Sequence, residues 1–308
     1  MISVLQTHIE KFFGRPQPEA RRLFHGRGRV YPGLEHICID WFAPVVLISA
    51  YQPVLEIAAL VAVLQQADQY QQVQCILLQQ RYERNSPAQC LYGQWPEQVL
   101  VEENGLTFEV HPGRRQNAGL FLDMRPLRQW LMQHCAGKNV LNLFAYTCSL
   151  SVAALAGSAS GVTSVDLSKT SIAWGERNHL LNKQDMNRVK SIPYNLFTSW
   201  GRIKQFGRYD LVIIDPPTRQ RGSFNAGKDY AAVLRKMPKL CNPEAHIIAA
   251  LNSPFLSENF LLEQFAANLP QSKLVESMPI AEEFVDAEPG KGLKIVHYRL
   301  PLESVSLA

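Results

Sequence analysis

Three short predicted strands each end in side chains whose chemistry suits a nucleoside. They are residues 140–144, followed by Ala145-Tyr146-Thr147; residues 163–165, followed by Asp166; and residues 211–214, followed by Asp215-Pro216-Pro217. A carboxylate beyond the second strand is placed to accept hydrogen bonds from a ribose diol. Two successive prolines fix an extended backbone and remove two N–H donors, which leaves acceptors for the amino edge of a base. If the three segments are neighbouring strands, their ends form one nucleoside cleft.

The elements around these segments predict such a sheet. Strands at 140–144, 163–165, 211–214 and 246–251 alternate with helices at 149–156, 171–181, 230–240 and 261–269. Two final strands, 273–278 and 293–300, have no helix between them and are expected to pair antiparallel at one edge. This pattern predicts an α/β fold, a Rossmann-like doubly wound sheet that is mostly parallel with an antiparallel last strand. Ligands of such sheets bind beyond the carboxyl ends of the strands.

The remainder of the chain predicts two further parts. Residues 1–24 are expected to form a basic, partly helical arm, and residues 25–111 a smaller N-terminal α+β domain. That domain has a strand at 45–50, a helix at 55–67 and a strand at 73–78. Its last two strands flank Asn104-Gly105, a dipeptide typical of tight hairpins because both residues accept positive φ. Residues 112–308 then form the sheet domain that binds the nucleoside.

Composition excludes several classes of protein. The chain has 308 residues, of which 46% are hydrophobic, so global disorder is excluded. Its most apolar stretch, residues 45–64, is interrupted by Gln52, Pro53 and Glu56, so we expect no membrane span. We expect no signal peptide, because residues 2–15 mix Gln, His, Glu and Lys and contain no apolar block. We expect no metal site, because the cysteines and histidines show no zinc-ligand spacing. The 6 cysteines form no C-x-x-C pair and predict reduced thiols in a cytoplasmic protein.

Basic residues cluster in two places although the net charge is only +4. One cluster lies within residues 11–29. The other follows the third strand and includes Arg219, Arg221 and Lys228. Such surfaces suit a polyanion such as RNA, because neutralised phosphates release counterions. Charge alone favours the alternative, that these are ordinary solvated side chains.

In combination and in order, these motifs resemble those of S-adenosylmethionine-dependent methyltransferases that act on bacterial large-subunit ribosomal RNA. The matching segments are Asn142-Leu143-Phe144-Ala145-Tyr146-Thr147, Val165-Asp166-Leu167-Ser168, Trp174-Gly175-Glu176-Arg177-Asn178, Leu181-Asn182 and Ile214-Asp215-Pro216-Pro217-Thr218. Upstream, Glu103-Asn104-Gly105-Leu106 and the segment from Gly119 to Arg125 extend the resemblance to residues 31–300. These motifs are most similar to those of the guanine-N7 methyltransferase half of the fused K/L enzymes.

The resemblance implies S-adenosylmethionine as cofactor, ribosomal RNA as partner, and a set of site residues. The implied cofactor-binding residues are Phe121, Asp123, Arg125, Asn142, Phe144, Ala145, Tyr146, Thr147, Asp166, Leu167, Ser168, Asn195, Leu196 and Asp215. Asn195 stands where the family usually has an aspartate that contacts the adenine amino group. Asp215, Pro216 and Pro217 would hold the target base. Phe224 or Tyr230 would stack on it, or would belong to the core instead, and Arg219, Arg221 and Lys228 would meet phosphates.

Two departures from the family pattern leave alternatives open. Cys148-Ser149 follows Tyr146-Thr147 where the family normally has glycine, so the chain would be an enzyme of weakened cofactor affinity or a non-catalytic RNA-binding relative. A methyltransferase acting on a small molecule or a protein is a third hypothesis. No cysteine follows the strand at 246–251, where the cytosine-C5 enzymes carry their nucleophile. This favours transfer to a ring nitrogen such as guanine N7, which needs no general base.

Overall fold

The computed structural model describes residues 2–220, 224–288 and 290–302. The chain divides into two compact units. Unit 1 comprises Met1–Arg125 and Ala281–Pro289, and unit 2 comprises Pro126–Ile280 and Gly290–Ala308.

Unit 1 is an α+β domain with a five-stranded sheet. Its elements are α1 (Ile2–Phe13), β1 (Arg21–His25), β2 (Ile37–Phe42), β3 (Val45–Ala50), α2 (Ile57–Ala67), β4 (Cys75–Gln80), β5 (Ala88–Gly93), β6 (Val99–Glu103) and β7 (Leu106–Val110). The sheet has the order β1-β2-β3-β4-β5, and only β3 and β4 are parallel, since α2 crosses between them. Strands β6 and β7 form a separate hairpin that turns at Asn104 and Gly105, both with positive φ.

The unit boundaries differ from the predicted domains. Helix α1 belongs to the core of unit 1, because Leu5, Ile9 and Phe13 recur every four residues and form one buried stripe. Phe13 packs edge-on against Trp41, with ring centroids 5.5 Å apart. Residues 1–24 are therefore not a separate arm. The division falls after Arg125 rather than after residue 111, and residues 281–289 return to unit 1.

Unit 2 alternates strands and helices. Its elements are α3 (Arg125–His134, which begins at the last residue of unit 1), β8 (Asn139–Leu143), α4 (Ser149–Ala156), β9 (Gly161–Val165), α5 (Lys169–Leu181), β10 (Val189–Ile192), α6 (Trp200–Gln205), β11 (Tyr209–Ile214), β12 (Arg219–Gln220), β13 (Phe224–Asn225), α7 (Ala226–Leu234), α8 (Met237–Leu240), β14 (Cys241–Asn252), α9 (Glu258–Asn268), β15 (Lys273–Ser277) and β16 (Leu293–Arg299).

Seven of these strands form one sheet with the order β10-β9-β8-β11-β14-β16-β15. The first five are parallel, whereas β16 runs antiparallel to both β14 and β15. The chain leaves β8 in one direction towards β10 and then returns to β11 on the other side, so the order reverses between β8 and β11. This confirms the predicted Rossmann-like methyltransferase sheet and its antiparallel edge pair. The ends of β8, β9 and β11 lie side by side at the reversal point.

Among the described residues, none of the helices combines the length and apolar character that a bilayer span requires.

Candidate cofactor and substrate site

The loop between β8 and α4 has an unusual backbone. Three non-glycine residues adopt left-handed conformations, with φ of 63° at Phe144, 48° at Tyr146 and 59° at Cys148. Such residues cost roughly 1–3 kcal/mol each and persist where the surroundings hold them, most often at ligand sites. The Ala145 N–H donates to the Val165 carbonyl at 2.9 Å, which ties the loop to the next strand. The loop is therefore a preformed feature of the sheet edge.

Asp166 anchors the same loop from the end of β9. Its Oδ2 accepts the Tyr146 N–H at 2.9 Å and its Oδ1 accepts the Ser168 N–H at 2.8 Å. Burial raises the pKa of this carboxyl, although the two backbone hydrogen bonds act in the opposite direction. Each oxygen keeps a lone pair, and the side chain is only partly buried. A half-buried carboxylate with acceptor capacity left over fits a ribose diol.

Asp215 stands at the end of β11, on the other side of β8. Its N–H donates to the Leu143 carbonyl at 3.4 Å, and Pro216 is buried while Pro217 is exposed. Backbone hydrogen bonds thus run from Asp215 to β8 and from the β8 loop to Asp166. The structure brings the three strand ends that carry Phe144, Asp166 and Asp215 together at one edge of the sheet.

The side chain of Cys148 is turned into the interior of unit 2. Its exposed fraction is 2%, and it forms a small apolar cluster with Ala145 and Ile172. Its closest neighbour on α5 is Gly175, where a side chain would collide with the thiol. Burial raises the pKa of the thiol to about 12, so it is protonated near neutrality. Cys148, which stands where the family normally has glycine, fits here because residue 175 is itself a glycine.

Asn142 is the penultimate residue of β8, and its side chain is buried beneath α4. Its exposed fraction is 1%, its Nδ2 donates to Ser151 Oγ at 2.9 Å, and Ser151 in turn contacts Ser164 Oγ at 2.7 Å. Within the described part of the chain, Asn142 Oδ1 is buried without a hydrogen-bond partner. The amide therefore fastens α4 to the sheet, in place of the predicted cofactor contact.

Two of the predicted cofactor-binding residues, Ser168 and Asn195, are helix caps. Ser168 caps α5 by accepting the Ser171 N–H at 3.1 Å, and Asn195 Oδ1 accepts the Phe197 N–H at 2.9 Å. Leu196 is buried, whereas Leu167 has an exposed fraction of 45% directly after Asp166. An exposed leucine beside a carboxylate suits the face of a nucleoside base. The cap oxygen of Asn195 retains a second lone pair, whereas Ser168 Oγ also accepts the Ser171 hydroxyl at 2.9 Å.

Phe224 and Tyr230 do not face the cleft. Their exposed fractions are 2% and 0%, and both belong to the apolar core of the sheet domain. The Tyr230 hydroxyl donates to the Ala250 carbonyl at 3.0 Å and lies 3.4 Å from the Ile214 carbonyl. It thereby bridges the ends of β11 and β14. The alternative of core packing is correct for both rings, and neither is free to stack on a base.

The remaining predicted residues stay predictions. Lys228 is exposed on α7, the side chain of Arg219 is not described, and Arg221 lies outside the described residues. Phe121, Asp123 and Arg125 belong to unit 1, where Arg125 pairs with Glu19 at 2.5 Å.

Across residues 2–220, 224–288 and 290–302, no group of three or more histidine, cysteine, aspartate or glutamate side chains is arranged to hold a metal ion.

Four residues at this edge of the sheet had no role predicted from the sequence. Asn178 donates from Nδ2 to the Thr147 carbonyl at 2.9 Å and so fixes the end of the β8 loop. Gly175 leaves room for Cys148. Arg202 stacks 4.0 Å above the ring of the exposed Tyr194, beyond the end of β10. Asn178 and Gly175 lie within one of the motifs that match the family. Their contacts with the loop depend on tertiary packing, which the spacing of residues along the chain does not reveal.

Comparison with known proteins agrees with this geometry. The family model described as S-adenosylmethionine-dependent methyltransferase matches residues 21–299. A ribosomal RNA large subunit methyltransferase K/L from Hahella chejuensis is 34% identical over 183 residues, covering 56% of this chain and 25% of the relative. The chain thus spans about a quarter of the length of that curated relative.

Two further proteins match over nearly the whole chain. YwbD of Bacillus subtilis, named as a candidate ribosomal RNA large subunit methyltransferase, is 28% identical, with coverage of 93% of this chain and 76% of that protein. The crystal structure of SMU.776, a candidate methyltransferase complexed with SAH, superposes with a TM-score of 0.85 at 28% identity, covering 97% of this chain and 82% of the other. The left-handed loop, the Asp166 carboxylate and the matched family model lead to one assignment. The chain belongs to the family of S-adenosylmethionine-dependent methyltransferases.

Proposed function

We propose that this enzyme methylates RNA, specifically ribosomal RNA, at a base nitrogen, with guanine N7 as the target atom. The proposal rests on the position of the segment that follows β11. The Asp215 N–H bonds to Leu143, so the acceptor-rich Asp215-Pro216-Pro217-Thr218 segment lies against the loop expected to hold the cofactor.

The residues at the carboxyl ends of β8, β9 and β11 would bind the cofactor and the target base. The Phe144–Thr147 backbone would hold the methionine end of the cofactor, and Asp166 its ribose hydroxyls. S-adenosylmethionine, when bound, supplies a methyl group on a positively charged sulfur. Asp215 and the Pro216 carbonyl accept hydrogen bonds from the amino edge of the base and so orient the ring nitrogen towards that methyl group. The N7 lone pair carries no proton, so no side chain has to remove one.

The cysteines favour nitrogen over carbon as the acceptor. Methylation at cytosine C5 through a covalent intermediate requires a thiolate nucleophile. Cys148 and Cys241 are buried, and burial raises the pKa of each thiol to about 12. In the described part of unit 2, the loop after β14 carries Asn252-Ser253-Pro254-Phe255 and no thiol.

RNA is favoured as the acceptor by two features. The Hahella and Bacillus relatives carry names that refer to large-subunit ribosomal RNA. Beyond the end of β10, Arg202 lies over Tyr194 and Lys169 Nζ lies 5.9 Å from the same ring, which forms an exposed aromatic and cationic surface. Stacking combined with positive charge is how proteins hold unpaired nucleotides.

The test is methyl transfer to a defined acceptor. The enzyme is incubated with labelled S-adenosylmethionine and ribosomal RNA from a strain that lacks its gene, and the RNA is digested to nucleosides. The proposal predicts labelled 7-methylguanosine. Asp215→Ala should abolish transfer, whereas Asp185→Ala, which removes an exposed carboxylate from a distant turn, should not. Labelled 5-methylcytidine would contradict the target base, and transfer to protein or small molecules but not to RNA would contradict the substrate class.

A further inference from the structure

Phe255 is the most exposed aromatic side chain of the sheet domain among the described residues, with an exposed fraction of 90%. It follows the end of β14, in the loop Asn252-Ser253-Pro254-Phe255. Phenylalanine is normally buried, because a ring held in solvent forgoes the favourable free energy of transfer from water. The exposed ring is available to a flat ligand at this position.

The Phe255 loop is joined directly to the segment expected to hold the target base. Strand β14 is parallel to β11, with Ala249 opposite Ile214, so both chains emerge at the same edge of the sheet. Thr218 Oγ1 donates to the Asn252 carbonyl at 2.5 Å. This bond connects the Asp-Pro-Pro-Thr segment to the loop that carries Phe255.

A buried lysine holds this loop in place. Lys294 has an exposed fraction of 4%, and its ammonium donates to the carbonyls of Ser253, Leu256 and Gly290 at 2.5, 2.9 and 3.0 Å. The Phe255 N–H also donates to Ser253 Oγ at 3.2 Å. Removing an ammonium from water is costly unless its donors are satisfied, and here three carbonyls satisfy them. The backbone of the loop is therefore held in place at the point from which the Phe255 ring projects.

We infer that Phe255 stacks on the target base of the RNA after that base has left its own stack. The inference rests on the proposed function, because it supplies the aromatic platform that the buried Phe224 and Tyr230 cannot. Stacking on an aromatic face is how enzymes commonly hold a base extruded for chemistry. The ring would add affinity for any base, while Asp215 and Pro216 read the base edge.

The surroundings of the ring favour a single flat ligand over a protein surface. Phe255 is flanked by the exposed Asn252, Pro254 and Ser257. Protein interfaces need an apolar core of many residues, which one exposed ring beside a proline and two polar residues does not provide. A nucleobase needs only one apolar face.

The test compares Phe255→Ala, Phe255→Trp and the control Phe206→Ala. Phe206 is also an exposed phenylalanine, with an exposed fraction of 39%, but it precedes β11 at the opposite edge of the sheet. Transfer to gene-deletion ribosomal RNA is measured beside calorimetric binding of S-adenosylhomocysteine and urea unfolding. Phe255→Ala should lower kcat/KM for RNA roughly 5- to 150-fold, the worth of one stacked base. Cofactor affinity and stability should be unchanged, Phe255→Trp should recover most of the loss, and Phe206→Ala should equal the wild type.

The results that would contradict the stacking role of Phe255 differ from those that would contradict the proposed function. If the wild type methylates RNA but Phe255→Ala transfers as well as Phe206→Ala, the ring does not hold the base, and the proposed function stands. Equal losses in Phe255→Ala and Phe255→Trp also contradict stacking. If the wild type binds S-adenosylhomocysteine but labels no RNA, the proposed function itself fails and takes the inference with it.

Discussion

The thiol of Cys148 packs directly on Gly175 of helix α5. A β carbon added at residue 175 would lie 2.3 Å from Cys148 Sγ and 2.7 Å from Cys148 Cβ. The pair therefore depends on one member being glycine. The position that carries the side chain is the last left-handed residue of the loop that we assign to the cofactor.

Gly175→Ala should destabilise the enzyme and weaken cofactor binding together. Overpacking a core typically costs about 1–3 kcal/mol, and relief here requires movement of the Cys148 backbone. Urea unfolding and calorimetry with S-adenosylhomocysteine measure the two effects. Adding Cys148→Gly should restore both, because it removes the obstructing thiol and a glycine tolerates the left-handed φ of 59°.

Gly201→Ala is the matched control for that substitution. Gly201 lies in α6, and a β carbon there would meet nothing within 4 Å. Since alanine is the better helix former by up to about 1 kcal/mol, this variant should be at least as stable as the wild type. Additive effects of Cys148→Gly and Gly175→Ala would contradict the coupling.

A second prediction separates two buried tyrosines. Tyr230→Phe and Tyr209→Phe each remove a hydroxyl that donates to a carbonyl, Ala250 at 3.0 Å and Ile203 at 2.8 Å. Each should lower the free energy of unfolding by about 1–3 kcal/mol, because a buried acceptor loses its partner. Only Tyr230 bridges the ends of β11 and β14, so only Tyr230→Phe should also reduce the rate of methyl transfer. Equal kinetic losses in both variants would show that the bridge has no role in the site.

Much of the sheet domain could be predicted from sequence because its signals are local. The strand at 211–214 is a continuous apolar run, as expected for a strand buried on both faces, and α4 has the predicted bounds 149–156. Strand β10 was missed, since Val189–Ile192 is short and includes Lys190 and Ser191. In unit 1, β5 was also missed because Ala88–Gly93 lacks an apolar run.

The site was less predictable because its decisive contacts join residues distant in sequence. The acceptor types at Asp166 and Asp215 were visible, but nothing local showed that Asn142 lies beneath α4 or that Phe224 and Tyr230 are buried. The sequence shows only that Cys148 stands where the family normally has glycine. Its compensation by Gly175 depends on how α5 packs, which spacing does not specify.

The third prediction concerns acid stability. Burial lowers the pKa of His246 to about 4, and the nearby positive charges of His297, Lys138, Arg299 and His134 act in the same direction. In the unfolded chain the imidazole titrates near its ordinary value of about 6.5. Between those values the unfolded state binds the proton first, so stability falls as the pH decreases from about 6.5 towards 4.

His246→Gln should therefore flatten this dependence. The free energy of unfolding, measured in urea at several pH values between about 7 and 5, should fall less steeply for the variant than for the wild type. His25, His179 and His297 also have lowered pKa values, so part of the slope will remain. An identical slope in variant and wild type would show that His246 titrates normally in the folded protein.

Cofactor binding by the β8 loop and Asp166 is tested by calorimetric titration of the wild type, Asp166→Ala and Asp185→Ala with S-adenosylhomocysteine. Both aspartates accept backbone N–H groups at turns, but only Asp166 holds the β8 loop through Tyr146. We expect saturable binding by the wild type and Asp185→Ala. We expect at least about a tenfold loss of affinity in Asp166→Ala, since charge-assisted hydrogen bonds contribute roughly 1.5–3 kcal/mol each. Equal affinity in all three proteins, or no binding by the wild type, would contradict this assignment.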